Sequence, residues 1–200
     1  GGKNQAGAFW QPSLVVCDCD VLDTLPEREY RCGCAEVIKY GLLDNVPFFN
    51  DLMEKPAKEQ YEHVISTCVE MKKQDVLSDE FDRGARQKLN LGHTIGHAVE
   101  QCSGFTLLHG ECVAIGMAVI TRAAVKKGFC AKETLDEVEK ILKLYDLPDQ
   151  TTYSTDELLN VALADKKVAN GKISLIVPEA VGKCSILPVP AEALREYMQS

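Results

Sequence analysis

The residue types best suited to chemistry gather in the segment RQKLNLGHTIGHAVE, at 86–100. At about 100° per residue, Arg86, Asn90, His93 and His97 fall within an arc of about 60° on one helix face. Leu89, Ile95, Ala98 and Val99 lie toward the far side and can pack against other helices. Solvated helix faces are usually built from Glu, Lys and Gln, so a stripe of His, His, Asn and Arg is unusual for one. Gly92 and Gly96 cost such a helix up to about 1 kcal/mol each relative to Ala, which makes sense if something must approach the backbone closely. His109, in LLHGECVAIGMA, stands where a new helix begins, a place where a lone His also serves as an ordinary cap. Glu36, in AEVIKYG, is a carboxylate beside Ala35, Val37 and Ile38 on an otherwise apolar helix, and it needs a partner if buried. Two imidazoles and one carboxylate match a catalytic zinc site that keeps a position open for water or substrate. Lys39, one turn after Glu36, lies on the same side.

Helices must position these groups, and the patterning supplies them. Asp23-Thr24 before Leu25-Pro26 gives capping residues followed by a first-turn proline. A helix is predicted from there through 43, with others over 47–54, 58–76, 80–102, 110–127, 132–144 and 155–168, and a closing helix over 191–200. Asn170-Gly171 breaks the pattern, and ISLIVP and KCSILPV read as two strands of a hairpin around Gly182. The Gly-rich opening GGKNQAGAFWQP reads as a loop, and SLVVCD as a short strand. A lone strand cannot satisfy its backbone groups, so SLVVCD is expected to join a sheet supplied by an N-terminal α/β domain outside this segment. The fold class expected is mainly α, with a small β-hairpin. Residues 1–25 form the interdomain segment and strand, and 26–200 the helical domain.

Two hundred residues at 46% hydrophobic can bury a sizeable core. A net charge of −8 argues against nucleic acid or an anionic membrane surface as partner, so any anionic ligand must meet a local basic cluster. No apolar run reaches the length of a membrane span, and the first residues do not read as a signal peptide. Of nine cysteines, Cys17 and Cys19 form one C-x-C, Cys32 and Cys34 another, and five stand singly. That is not zinc-ribbon spacing, and it reads as the reduced thiols of a cytoplasmic protein.

The order GKN, GAFWQP, TLPERE, AEVIKYG, a Lys seven residues before DE, LNLGHTIGHAVE, LHGE and DKK resembles that of the 3-dehydroquinate synthase family across essentially the whole chain. The resemblance implies that Glu36, His93 and His109 hold a divalent ion, zinc or cobalt, and that His97 serves the substrate pocket and proton handling. It implies a pocket for a phosphorylated sugar acid lined by Lys39, Lys72, Arg86, Asn90 and a lysine of the DKK triplet, Lys166 or Lys167. Arg86 suits bidentate carboxylate recognition and the lysines act as point charges. Asn4 is implied at the substrate side. Lys3 and the loop Val21, Leu22, Asp23 and Thr24 are implied to approach NAD, although the loop by itself reads as a turn with a cap. The stretch DEFDRGAR departs from the family pattern, with Asp82 where a Glu is usual, which shortens the reach of that acid.

What the resemblance implies is the C-terminal half of an NAD- and metal-dependent lyase. The complete enzyme converts 3-deoxy-D-arabino-heptulosonate 7-phosphate to 3-dehydroquinate plus phosphate, a shikimate-pathway step toward aromatic amino acids, and works as a homodimer. The family's Gly-rich dinucleotide loops precede this segment, so these residues alone are expected to bind NAD poorly and to be inactive. The rival readings are another sugar-phosphate cyclase, an iron-type polyol dehydrogenase, and a non-catalytic metal-binding helical domain. Lys72 together with LNLGHTIGH favours the synthase.

Overall fold

In the computed structural model, which describes residues 12–79, 84–165 and 171–199, seven helices precede a hairpin. They are α1 (Glu27–Asp44), α2 (Val46–Glu54), α3 (Tyr61–Ser78), α4 (His93–Cys102), α5 (His109–Lys126), α6 (Lys132–Leu144) and α7 (Thr155–Asp165). The hairpin pairs β1 (Lys172–Ala180) with β2 (Lys183–Pro190), and a short α8 (Arg195–Met198) follows. Turns of 3-10 helix occur at Cys19–Thr24, Ala57–Glu59, Ala85–Asn90 and Ala191–Leu194. The mainly helical fold with one small hairpin is thus the one the sequence predicts. No helix among the described residues is long and apolar enough to cross a membrane.

Helix α5 is apolar on nearly every side, and such a helix is stable only when surrounded. Thirteen of its 18 residues are buried, with α1, α4, α6, α8 and β1 packed around it. Each fully buried side chain of the size of Met117 contributes about 1.5–3 kcal/mol. Helix α4 meets α5 along a seam of glycines. A Cβ on Gly116 would stand 2.0 Å from the Gly92 carbonyl oxygen, and one on Gly96 would stand 2.8 Å from that of Cys112. The two helices therefore meet backbone to backbone, and the group that approaches Gly92 and Gly96 is α5.

Helix α1 begins with Glu27 and Glu29 in its first turn, where the helix dipole favours negative charge. It buries Ala35, Ile38 and Leu42 and ends at Asn45, whose side chain then caps α2 by accepting the Phe48 N–H at 3.0 Å. In the hairpin, Ile173 faces Val189 and Leu175 faces Leu187. Gly182 turns the chain at φ +73° and donates its N–H to the Leu42 carbonyl at 3.0 Å, tying the hairpin to the end of α1.

Residues 13–18 lie outside the described sheet, whose strands β1 and β2 pair with each other, and the α/β domain expected to receive them is not among the described residues. Two expectations are corrected. The single helix expected over 80–102 is broken instead into the Ala85–Asn90 turn and α4. The break falls at Gly92, whose φ of +76° no α-helix contains. The helix expected from 58 starts at Tyr61, after the Ala57–Glu59 turn. Residues 80–83 and 166–170 lie outside the described ones, as does the opening loop through 11, so the end of the helix expected over 155–168 is placed only as far as Asp165.

Candidate metal centre

Three elements converge on one point. Glu36 projects from the middle of α1, His93 is the first residue of α4, and His109 is the first residue of α5. Their placement is tightly fixed. The N–H of Gly110 donates to Cys32 Sγ at 3.0 Å, drawing the start of α5 onto α1. A Cβ on Gly110 would stand 2.0 Å from the Cys32 carbonyl oxygen, so only glycine allows that approach. Glu111 closes a capping box by accepting the Leu108 N–H at 2.8 Å. The same carboxylate accepts two bonds from the Arg28 guanidinium of α1, at 2.7 and 2.6 Å. That pair holds the Glu111 carboxyl below its ordinary value, the Arg28 hydrogen bond being the main cause.

Glu36 Oε1 lies 3.4 Å from His93 Nε2 and 3.5 Å from His109 Nε2. Both imidazoles use their other nitrogen: His93 Nδ1 lies 3.0 Å from the Leu91 carbonyl oxygen, and His109 Nδ1 lies 3.5 Å from Glu100 Oε2. Since a carbonyl or carboxylate oxygen can only accept, both Nδ1 atoms carry the proton. A neutral ring then turns its Nε2 lone pair toward Glu36. Glu36 Oε1 is buried and has no hydrogen-bond partner among the described residues. Three acceptors facing one another need positive charge among them, either a divalent ion or ring protons of imidazolium. The residue set and its arrangement fit the ion: one carboxylate and two imidazoles, with a fourth position left for another ligand. Burial alone would push the Glu36 carboxyl up, yet positive charge beside it, on His109 and His93 when they carry an Nε2 proton and on Lys39, holds it well below the usual carboxylate range.

Lys39 is 4% exposed and donates to the other oxygen of Glu36, Oε2, at 2.5 Å. Lys72, on α3, has its ammonium pushed down by burial first and then by Arg86 and Lys39, with Asp75 and Glu36 opposing. The three expected cations thus share one electrostatic neighbourhood. Arg86 sits in the 3-10 turn, and its backbone N–H donates to Asp79 Oδ2 at 3.2 Å, as does that of Gly84 at 2.7 Å. Asn90 ends that turn, exposed, beside a crevice it shares with Gly92, Thr94 and Leu175. Arg86 and Asn90 therefore do not continue the helical stripe of His93 and His97. His97 completes a triangle of rings, its centroid 5.5 Å from that of His93 and 5.7 Å from that of His109.

Val21, Leu22, Asp23 and Thr24 lie in the first 3-10 turn, which Asp18 caps by accepting the Asp20 N–H. Thr24 Oγ1 donates to the Val21 carbonyl at 2.7 Å. Leu22 faces an apolar groove with Tyr30 and Tyr61, and Val21 is exposed. Lys3, Asn4, Asp82, Lys166 and Lys167 lie outside the described residues. Sequence reasoning missed Glu100, Glu111 and Arg28. The signal for Glu111 was present, as an acid in the third position of a helix whose first residue is a candidate ligand. Glu100 stood three residues after His97, on the same face.

Residues 33–168 match the family model described as 3-dehydroquinate synthase C-terminal, and residues 1–32 the one described as 3-dehydroquinate synthase N-terminal. The 3-dehydroquinate synthase of Thermodesulfovibrio yellowstonii is 41% identical over 207 residues, which cover 98% of this chain and 58% of that protein. That of Shewanella loihica is 38% identical over 208 residues, covering 100% and 58%. Among solved structures, a 2-epi-5-epi-valiolone synthase from Streptomyces hygroscopicus with NAD+ and Zn2+ bound superposes with a TM-score of 0.86 at 24% identity, over 98% of this chain and 57% of that one. A 2-deoxy-scyllo-inosose synthase complexed with carbaglucose-6-phosphate, NAD+ and Co2+ gives 0.79 at 25% identity, over 99% and 58%. The chain thus spans 58% of the length of these two curated relatives.

Proposed function

Because the chain belongs to the 3-dehydroquinate synthase family, we propose that it forms the metal- and substrate-binding part of an NAD- and divalent-metal-dependent sugar-phosphate cyclase, and specifically of a 3-dehydroquinate synthase. The observation that carries this reading is the convergence of Glu36 Oε1 with Nε2 of His93 and His109, beside the cations Lys39, Lys72 and Arg86. An acidic chain that gathers three cations next to a metal-ligand set is suited to a small, multiply anionic substrate.

Glu36, His93 and His109 would hold the ion, zinc or cobalt. The ion supplies Lewis acidity toward substrate oxygens, and NAD supplies reversible hydride transfer at the substrate's C5 alcohol. Lys39 and Lys72 attract the phosphate, and Arg86 grips the carboxylate with two parallel N–H bonds. His97, on the same helix face as His93, moves a proton at a substrate hydroxyl, while the phosphate can accept the proton that its own departure requires. Asn90 and Asn4, with Lys166 or Lys167, complete the polar lining. Lys3 and the turn Val21–Thr24 face the nucleotide. This assignment makes 1–25 the interdomain segment and 26–200 the metal- and substrate-binding domain, partnered by the family's N-terminal NAD-binding domain. The family resemblance supports a homodimer, and nine free thiols support a cytoplasmic setting.

The test is an assay of the full-length protein with NAD, Zn2+ or Co2+, and 3-deoxy-D-arabino-heptulosonate 7-phosphate. Phosphate release without net accumulation of NADH, abolished by a chelator, is the expected result. Turnover confined to sugar phosphates lacking a carboxylate would assign the protein to the other cyclases. Net NADH production from a polyol would assign it to the dehydrogenases.

A further inference from the structure

The two imidazoles of the metal centre are supported differently. His93 Nδ1 faces a neutral backbone carbonyl, that of Leu91, at 3.0 Å. His109 Nδ1 faces a carboxylate, Glu100 Oε2, at 3.5 Å. Glu100 lies on α4, with 16% of its side chain exposed, and its backbone is pinned at the end of that helix. Its carbonyl accepts the Ser103 hydroxyl at 2.7 Å and the Phe105 N–H at 3.0 Å. A carboxylate behind an imidazole fixes the tautomer, stops ring rotation and makes the opposite nitrogen a stronger donor.

We propose that Glu100 is a positioning residue for the metal centre, holding His109 with its proton on Nδ1 and its Nε2 lone pair directed at the ion. The inference rests on the metal-ligand reading of Glu36, His93 and His109. The same side chain also groups with His97 and His109 as a second set of donor atoms within 4.8 Å of one another. A second ion there, bound through His109 Nδ1 while Nε2 served the first, would need that ring stripped of both protons. The positioning role asks only for a neutral imidazole, so it is the one the chemistry favours.

The experiment compares the full-length protein with its Glu100→Ala and Glu100→Gln variants. Zn2+ affinity is measured by competition with a chromophoric chelator, and the Co2+-loaded forms by their visible absorption. Glu100→Ala should weaken Zn2+ binding by about 10- to 100-fold and shift the Co2+ bands. Glu100→Gln, whose amide oxygen can still accept from Nδ1, should fall between Ala and wild type. It also carries the test should the Ala variant fail to fold. Affinity within twofold of wild type with unchanged Co2+ bands would overturn the proposal, even if the metal-free melting temperature fell, because Glu100 would then be structural only. Two ions per wild-type chain, one of them lost in Glu100→Ala, would also overturn it by making Glu100 a ligand. A wild-type protein that takes up no divalent ion would overturn the metal centre itself, and this inference with it.

Discussion

His93 and His109 each begin a helix, and those helices touch backbone to backbone, whereas Lys72 and Arg86 reach the same neighbourhood from an exposed stretch of α3 and from a 3-10 turn. The contrast separates two kinds of precision. A metal ligand must be placed within tenths of an ångström, and here main-chain contacts place the proposed ligands, Gly110 on Cys32 and Gly116 on Gly92, with the Arg28–Glu111 side-chain clamp beside them. An anion-binding cation needs only to lie in the right field, and a long side chain on a looser segment is enough. One region is preorganised by the core, and the other can adjust around a substrate.

The largest effect that could break this contrast is loss of the ion. Elemental analysis should find Glu36→Ala and His93→Ala depleted of metal, with affinity falling by more than the roughly 100-fold that outer partners contribute. His97→Ala should keep its metal, and equal loss in all three would erase the distinction between ligand and neighbour. Next comes the seam between α4 and α5. Gly116→Ala puts a methyl group 2.0 Å from a carbonyl oxygen, so thermal denaturation should show a loss of about 1–3 kcal/mol or more. Gly33→Ala, on the open side of α1 where an added Cβ would meet nothing within 4 Å, should instead gain up to about 1 kcal/mol. Equal effects at both positions would mean that the seam has room to yield.

A smaller effect is expected at the looser region. Arg86→Lys should weaken binding of the phosphorylated sugar acid by about tenfold, as read by calorimetry on the full-length protein, and leave the metal content alone. Parallel loss of metal would show the two regions to be one unit. The smallest effect concerns pH. The Glu111 carboxyl is depressed below its ordinary 4.5, chiefly by its hydrogen bond with Arg28. Its contribution to stability is therefore complete above about pH 4.5 and is lost as the pH falls through the depressed folded value. Glu111→Gln should cost stability at neutral pH, where the Arg28 pair is intact, and little below that window, which flattens the acid limb of the stability profile.

The two regions were also unequally legible in the sequence. Lys132–Leu144 could be bounded to the residue because its apolar period is regular and no tertiary contact contradicts it. Glu36, His93 and His109 stood out because imidazoles and an isolated carboxylate are uncommon on apolar helices. The break at Gly92 did not, since a glycine in a helical pattern does not declare the sign of its φ, and only the approach of Val113 and Met117 decides it. For the same reason the sequence pattern runs Arg86 and Asn90 into the helix of His93. SLVVCD has the composition of a strand, but a strand is a relation between two segments, and the sheet expected to pair with it is not among the described residues. Glu100 went unnoticed because a glutamate on a helix is ordinarily solvated, and its role depends on a histidine nine residues away.

The seam between α4 and α5 has a kinetic meaning as well. Main-chain contact sets the separation of the helix starts that carry His93 and His109, so the backbones of these two residues part only when the two helices part, and α5 is the helix around which the others pack. Amide protons along the seam should therefore exchange with solvent at the rate of global unfolding, while those of the 3-10 turn carrying Arg86 exchange through local opening. Backbone rearrangement at the proposed ligands would then follow the slow breathing of the core, and that of the Arg86 turn the fast motion of the rim.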